Sequence, residues 1–478
     1  MKEKSPIAIA VVLFLLLLVS DKVNAASVVS RTASLSVVFV KPLGNYSWEV
    51  NVSLIYRGKE LALCSSKLVP NMYYLQTKTI TSGLVATPLY YVLDGVCRKT
   101  LPMLTLLNSN VDTIIVNISV PRGYIVRTSM DYRGYGPLGG PYRLPLRLFM
   151  KYYVFDGIVV ADKKLFVQRD FVDNNVSVVY SKSLTKSYVE YAYATLVAVR
   201  NKVAQWLGDS PRAARVVVLV APSYPDPMPA GTAQSMGSII YMKLDYGNVT
   251  SWLVHTVAHE TIHGWFNHGM LYGGFAVAEA VPEFLALRAL HEANKTLYRL
   301  AAEYFLEAMA SGEEYMMWMK VNAALWYYSL RACGTDVYTQ ALRSLFQKAL
   351  SSGGIEIGFP QLVYEVYKLA PKDCKNEIAS IAGLDLLASA QPSDSWPFVP
   401  VNLARSNTGG CNISSNVTTT TTVAVTKTLY KTVVSTYTVK ARVGGARSSN
   451  GLLWGIAAAI ATAGVCAELT RRRQYNQT

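Results

Sequence analysis

The chain has 478 residues, enough for about two or three domains of roughly 150 residues each, which excludes a short peptide or a one-module binder. It is 51% hydrophobic and only 16% charged, against roughly 25% charged in an ordinary soluble globular protein, so wholesale disorder is excluded and membrane or secretory segments are expected. Lys and Arg number 46 against 31 Asp and Glu, a net charge of +15 that suits nucleic acid, a membrane surface or an acidic substrate, depending on where the charges lie.

Residues 1–25 have the three parts of a secretory signal peptide: Lys2 and Lys4, the unbroken apolar run Ile7 to Val19, and small residues around Val23-Asn24-Ala25. Cleavage is expected after Ala25. An uncleaved anchor is the alternative, although the run is short of the roughly 20 residues that a spanning helix needs. Residues 26–178 then read as β-branched and aromatic runs (SLSVVFV, YSWEVNVSLIYR, TIIVNISV, KYYVFDGIVVAD, LFVQRDF) broken by turns such as Pro42-Leu43-Gly44 and Gly139-Gly140-Pro141. This pattern predicts an N-terminal antiparallel β domain.

Over residues 179–400 the period becomes helical, beginning with SYVEYAYATLVAVRNKVAQWLG and interrupted by the strands ARVVVLVAP and SIIYMKL. A mixed first half and a helical second half define an α+β domain. Residues 401–450 crowd Thr and Ser together with six Lys or Arg and no acid, a composition without the apolar surface for a core. A Ser/Thr-rich stalk is predicted, with a strand at TVAVTKTLYKTVV as the alternative. Gly451 to Ala467 then gives 17 uncharged residues followed by Arg471-Arg472-Arg473, which predicts a transmembrane helix over 451–469 and a cytoplasmic tail over 470–478. A buried terminal helix is the competing reading.

A single-pass protein of the cell membrane, with most of its chain outside the cell, follows from these runs. Six surplus bases sit in the stalk and three in the tail, so the charge speaks for topology, and no nucleic-acid partner is expected. In an exported chain, Cys64 with Cys97 and Cys333 with Cys374 form two within-domain pairs suited to disulfides. On the side expected to be external, eight Asn-x-Ser/Thr acceptor sites, at Asn45, Asn51, Asn117, Asn175, Asn248, Asn294, Asn412 and Asn416, fit a surface glycoprotein.

All five histidines fall between His255 and His291, and among them stands His259-Glu260-Thr261-Ile262-His263, an HExxH pattern. Ser251 to Phe266 has helical spacing, with Leu253, Val257, Ala258 and Ile262 inward and Thr250 or Ser251 as N-cap. On such a helix His259 and His263 stand one turn apart and can share one metal ion, with Glu260 placed to accept a proton from the attacking water. Zinc needs a third protein ligand. The helical segment Val277 to Leu287 carries two acids four apart, of which Glu279 is the expected ligand and Glu283 the expected acceptor for a ring N–H of a liganding histidine. An ion pair with Arg288 is the plainer reading of Glu283.

HETIHGWFNH resembles the HExxH-x-W-F-x-N stretch of the aminopeptidase-N-like metallopeptidases, with His268 in place of the last asparagine. EAVPEFLAL is similar to the E-G-x-A-x-Y helix of that family and to the E-A-x-x-D segment of thermolysin. Both belong to the gluzincins, zinc peptidases with two histidines and a glutamate as ligands. The resemblance implies a thermolysin-like catalytic domain after the β domain, His259, His263 and Glu279 as ligands of one Zn2+, and Glu260 as general base. It covers about 85 residues, and departs from the families in three places. Fifteen residues separate His263 from Glu279, fewer than is usual; Gln234-Ser-Met-Gly stands where a G-x-M-E-N strand would hold a substrate amine; and Trp318 stands near Lys320 where a tyrosine would serve the oxyanion. Tyr315, Tyr327 and Tyr328 are the nearby candidates for that donor, and endo- or exopeptidase action stays open.

The expected function is therefore a cell-surface zinc metallopeptidase acting on peptide or protein substrates and tied to the lipid bilayer by its C-terminal helix. The competing class is a non-catalytic surface or adhesion protein that retains a peptidase-like metal-binding domain.

Overall fold

A computed structural model describes residues 31–70, 79–225, 233–266, 270–310 and 314–381, apart from a few single positions, and four short strands beyond residue 389. The expected signal peptide, transmembrane helix and cytoplasmic tail lie outside the described residues, as does most of the expected stalk, in which Val423–Val425 pairs antiparallel with Ser435–Tyr437. Among the described residues no helix is long and apolar enough to cross a membrane. The architecture is α+β, with β-sheets toward the N-terminus and helices toward the C-terminus. It divides into two compact units, one drawn from Met1–Tyr272, Leu285–Glu307 and Phe346–Ile355, the other from Gly273–Phe284, Ala308–Leu345 and Glu356–Thr478.

The first unit begins with strands β1 (Thr32–Pro42), β2 (Trp48–Tyr56), β3 (Lys59–Leu68), β4 (Thr79–Ile80) and β5 (Leu84–Pro88), followed by helices α1 (Leu89–Val96) and α2 (Thr100–Leu107). Next come β6 (Thr113–Ser119), β7 (Tyr124–Thr128), β8 (Tyr142–Pro145), β9 (Gly157–Asp162), β10 (Phe166–Phe171) and β11 (Val176–Ser181). Helix α3 (Lys186–Leu207), strands β12 (Val216–Val220), β13 (Ala233–Ser235) and β14 (Ile239–Lys243), and helix α4 (Val249–Ile262) follow. They form three sheets of order β3-β2-β1-β6-β8, β4-β5-β9-β7 and β10-β11-β12-β14-β13.

Strand β1 alternates strictly, with Ala33, Leu35, Val37 and Phe39 buried on one face, as a half-buried strand of period two must. The expectation of a purely antiparallel β region fails at one pairing: β1 and β6 run parallel, Thr32 beside Thr113 through Val38 beside Ser119. Parallel neighbours need a long connection, and the two helices α1 and α2 are part of it. The run KYYVFDGIVVAD also departs from a single strand. Its first part closes a π-helical turn, Phe149–Tyr153, and only Gly157–Asp162 is extended.

The second and third sheets stack face to face through Leu84, Ala86, Val159 and Ala161 on one side and Val179, Val216, Val218 and Ile239 on the other. The opposite face of the third sheet is covered by α3 and α4, whose Val189, Leu196, Leu253 and Val257 pack on Val178, Val217, Leu219 and Ile240. Continuous apolar strands such as VVVLV are what burial on both faces demands. At roughly 1.5–3 kcal/mol for each large apolar side chain removed from water, this three-layer stack fixes the start and direction of α4.

The remaining helices are α5 (Phe275–Ala278), α6 (Ala280–Ala293), α7 (Lys295–Ala310), α8 (Glu314–Cys333), α9 (Val337–Ser352), α10 (Phe359–Leu369) and α11 (Lys375–Ile381). Within the second unit the fully buried Asn322 carboxamide donates to the carbonyls of Ala276 (3.1 Å) and Trp318 (2.9 Å) and accepts from the Tyr338 hydroxyl (2.9 Å). This network holds the short segment that leads to Glu279. Phe284 closes over it, 5.6 Å from the Tyr338 ring and 6.0 Å from Trp326. Disulfides join Cys333 to Cys374 here and Cys64 to Cys97 in the first unit.

Candidate metal centre

Helix α4 carries the HExxH pattern on a segment whose Leu253, Val257, Ala258 and Ile262 are all buried, as the apolar spacing predicts. The helix starts at Val249, a residue or two earlier than the expected caps, and Ser251 serves another purpose: its hydroxyl donates to Glu303 on α7 at 2.8 Å. His255, one turn before His259, is buried and packs against the Tyr304 ring at 4.6 Å. That contact between distant parts of the chain has no signal in the sequence.

His259 and His263 project together. Their Nε2 atoms lie 3.0 Å apart and their rings cross at 77°. The Nδ1 of His263 lies 3.3 Å from the Phe266 carbonyl, which can accept only if that nitrogen carries the proton, so its Nε2 is left with a lone pair. Two imidazole nitrogens at this spacing match ligands sharing a tetrahedral ion, since two N–metal bonds of about 2.0–2.1 Å put their nitrogens roughly 3.3 Å apart. Glu260, next in sequence, is buried.

The third residue of the set is Glu279. One ligand atom each from His259, His263 and Glu279 lie within 4.8 Å of one another, and all three residues are half-buried. Glu279 differs from expectation in its local setting: it occupies a one-residue break between α5 and α6, while the Glu283 N–H still donates to the Glu279 carbonyl at 3.0 Å. Glu283 is itself buried in the first turn of α6. Arg288, the base in the plainer reading of Glu283, donates to Glu292 at 3.1 Å and stacks over the Trp206 ring.

Two imidazoles and one carboxylate are the donor set of a catalytic zinc site, which takes three protein ligands and keeps a position open. The residues present fit that ion.

Other predicted positions are dispersed. His268 lies outside the described residues, and His291 packs on Tyr298 at 5.0 Å. Gln234 is half-buried on the edge strand β13, paired with Tyr241. Tyr315 and Tyr327 both lie on α8, where Tyr327 is half-buried between the rings of Trp326 and Tyr328, and Trp318 meets Phe359 at 5.4 Å.

The end of α4 is held by backbone that periodicity does not reveal. Ser210 donates its hydroxyl to the Gly264 carbonyl at 2.5 Å, and Trp265 donates its indole N–H to the Gly208 carbonyl at 2.8 Å. A Cβ at position 264 would stand 2.7 Å from the Ala213 Cα and 2.8 Å from the Arg212 carbonyl oxygen. Only glycine admits that approach. Gly264→Ala is accordingly expected to destabilise by about 1–3 kcal/mol and to weaken zinc retention by shifting His263, measured as thermal midpoint and metal content side by side.

No protein-family model matches the chain, and no curated protein sequence matches it. Solved structures similar to it include yeast LTA4 hydrolase in complex with bestatin, at 12% identity over 77% of this chain and 68% of that one, with a TM-score of 0.42. Another is an aminopeptidase N family protein from Idiomarina loihiensis, at 9% identity over 67% of this chain and 71% of that one, with a TM-score of 0.43. A likeness at this level carries no argument about activity.

Proposed function

We propose that this chain is a cell-surface zinc metallopeptidase. The observation that carries the reading is the convergence of His259, His263 and Glu279 on one point, with buried Glu260 adjacent in sequence to the first of them. Zinc held there supplies a Lewis acid for the peptide carbonyl and lowers the pKa of water toward about 7. Glu260 accepts the proton of the attacking water and returns it to the leaving amine. Glu283 is the candidate acceptor for a ring N–H of a liganding histidine. Tyr315 and Tyr327 are the candidates for donating to the developing oxyanion.

The signal-like residues 1–25 and the apolar run 451–467 support a single-pass topology, with the peptidase outside the cell and the tail of residues 470–478 inside. Glu279→Ala tests the ligand set. One zinc per chain is expected for the unaltered protein, and the variant should retain at least tenfold less after dialysis against a weak chelator. Unchanged zinc in the variant removes Glu279 from the site and leaves the non-catalytic surface-protein reading in its place.

A further inference from the structure

A cavity of about 400 Å³ opens in the first unit, reaching Trp265 just past the HExxH segment, and its walls carry three arginines: Arg133, Arg200 and Arg215. They come from three places in the fold: the loop between β7 and β8, the buried face of α3, and the residue just before β12. Two of the three are tied down. Arg133 donates to the carbonyls of Ser210 (3.3 Å) and Ala213 (2.8 Å) and to the Ser238 hydroxyl (2.9 Å), and Arg200 donates to the carbonyls of Ala214 (3.3 Å) and Asn174 (2.5 Å). Structural reasons suffice for both.

Arg215 is different. Its backbone is locked between neighbours, its N–H donating to the Ser238 carbonyl and its carbonyl accepting from Ser177. Among the described residues, however, no carbonyl or carboxylate receives its guanidinium, and its Nε is buried without a partner, as is the Nε of Arg133. A guanidinium carries five N–H donors in a planar fork, and on half-buried Arg215 the Nε is a buried donor without a partner while the terminal nitrogens are left to face the cavity. The balancing charge is small. Asp156 is engaged by Arg212 at 2.6 Å, and among the described residues the only acid lining the cavity is Asp209, which is exposed. Burial pushes the Arg215 guanidinium down to about 9, and the positive charges of Arg133 and Arg200 push in the same direction.

We propose that this cavity binds a tetrahedral dianion, a phosphate or sulfate group, received by the Arg215 fork together with the Nε–H donors beside it. One guanidinium left for a ligand, in a cavity whose positive charge is raised by two more and opposed by one exposed aspartate, is the chemistry that recognises such a group. The cavity is larger than a phosphate ion alone, so the group can arrive as the free ion or as a monoester.

Calorimetric titration of the full chain with inorganic phosphate, with chloride balancing ionic strength, tests the site. Saturable binding is expected, weakened tenfold or more in Arg215→Gln and largely kept in Arg215→Lys. Asp209→Asn, an exposed change that leaves the fold alone, should tighten phosphate binding several-fold by removing the opposing charge. O-phosphoserine distinguishes the source: tighter binding than phosphate assigns the site to a monoester, and weaker binding to the free ion. Absence of saturable binding by either probe, or affinity indifferent to both Arg215→Gln and Asp209→Asn, overturns the proposal.

Discussion

Glu260→Gln is expected to lower peptide turnover by roughly a hundred- to ten-thousand-fold while leaving one zinc per chain in place. The amide has the shape of the carboxylate and fills the same buried position, so neither the packing of α4 nor the converging Nε2 atoms of His259 and His263 need change. What is lost is an oxygen able to accept a proton. Metal content and single-turnover hydrolysis, measured on the same preparation, separate the two roles. Zinc retained with undiminished turnover would remove Glu260 from the chemistry. Zinc lost along with turnover would make it part of the ligand arrangement instead.

The second large effect lies away from the metal. Asp156 is fully buried, and it is held by Arg212, itself almost wholly buried, through Nε at 2.7 Å and a terminal nitrogen at 2.6 Å, with the Ser238 hydroxyl at 3.3 Å. Burial pushes the Asp156 carboxyl up, and the Arg212 guanidinium pulls it back down. Asp156→Ala strands the guanidinium in the interior, which typically costs about 3–5 kcal/mol. In a unit of this size that corresponds to a fall in thermal midpoint of roughly 6–20 °C. Replacing both partners, Asp156→Leu with Arg212→Met, should cost distinctly less than Asp156→Ala alone, because no unpaired charge remains. Additive losses across that double-mutant cycle would show that the pair is not coupled. Asp156 also offsets Arg133, so its removal leaves the neighbouring arginine cavity still more positive.

Much of this was legible in the chain because it is local. The helical period that begins at residue 249, with His259 and His263 at a four-residue interval across its end, needs only one turn to bring both rings to one side. The strand-rich beginning and helical end of the described chain follow equally from periods of two and 3.6. What stayed hidden depends on contacts distant in sequence. Parallel pairing of β1 with β6 spans some eighty residues, and nothing in SLSVVFV or TIIVNISV distinguishes it from an antiparallel partner. The Asn322 network, the Tyr304 ring against His255, and three arginines from separate elements meeting in one cavity are likewise products of the tertiary fold. The break at Glu279 shows the same limit at short range: two acids four apart suit one continuous helix, yet the chain ends one helix and starts another between them.

Gly264 carries a consequence for anyone redesigning this protein. Because its missing side chain is the gap through which the Arg212–Ala213 backbone passes, the position accepts no substitution that the chemistry of the neighbouring histidine would suggest. A mutational scan of the HExxH region should therefore show intolerance that extends past His263 to a residue with no functional group at all. Reading such a scan for ligands alone would assign Gly264 a role in binding that belongs to the passage of the main chain.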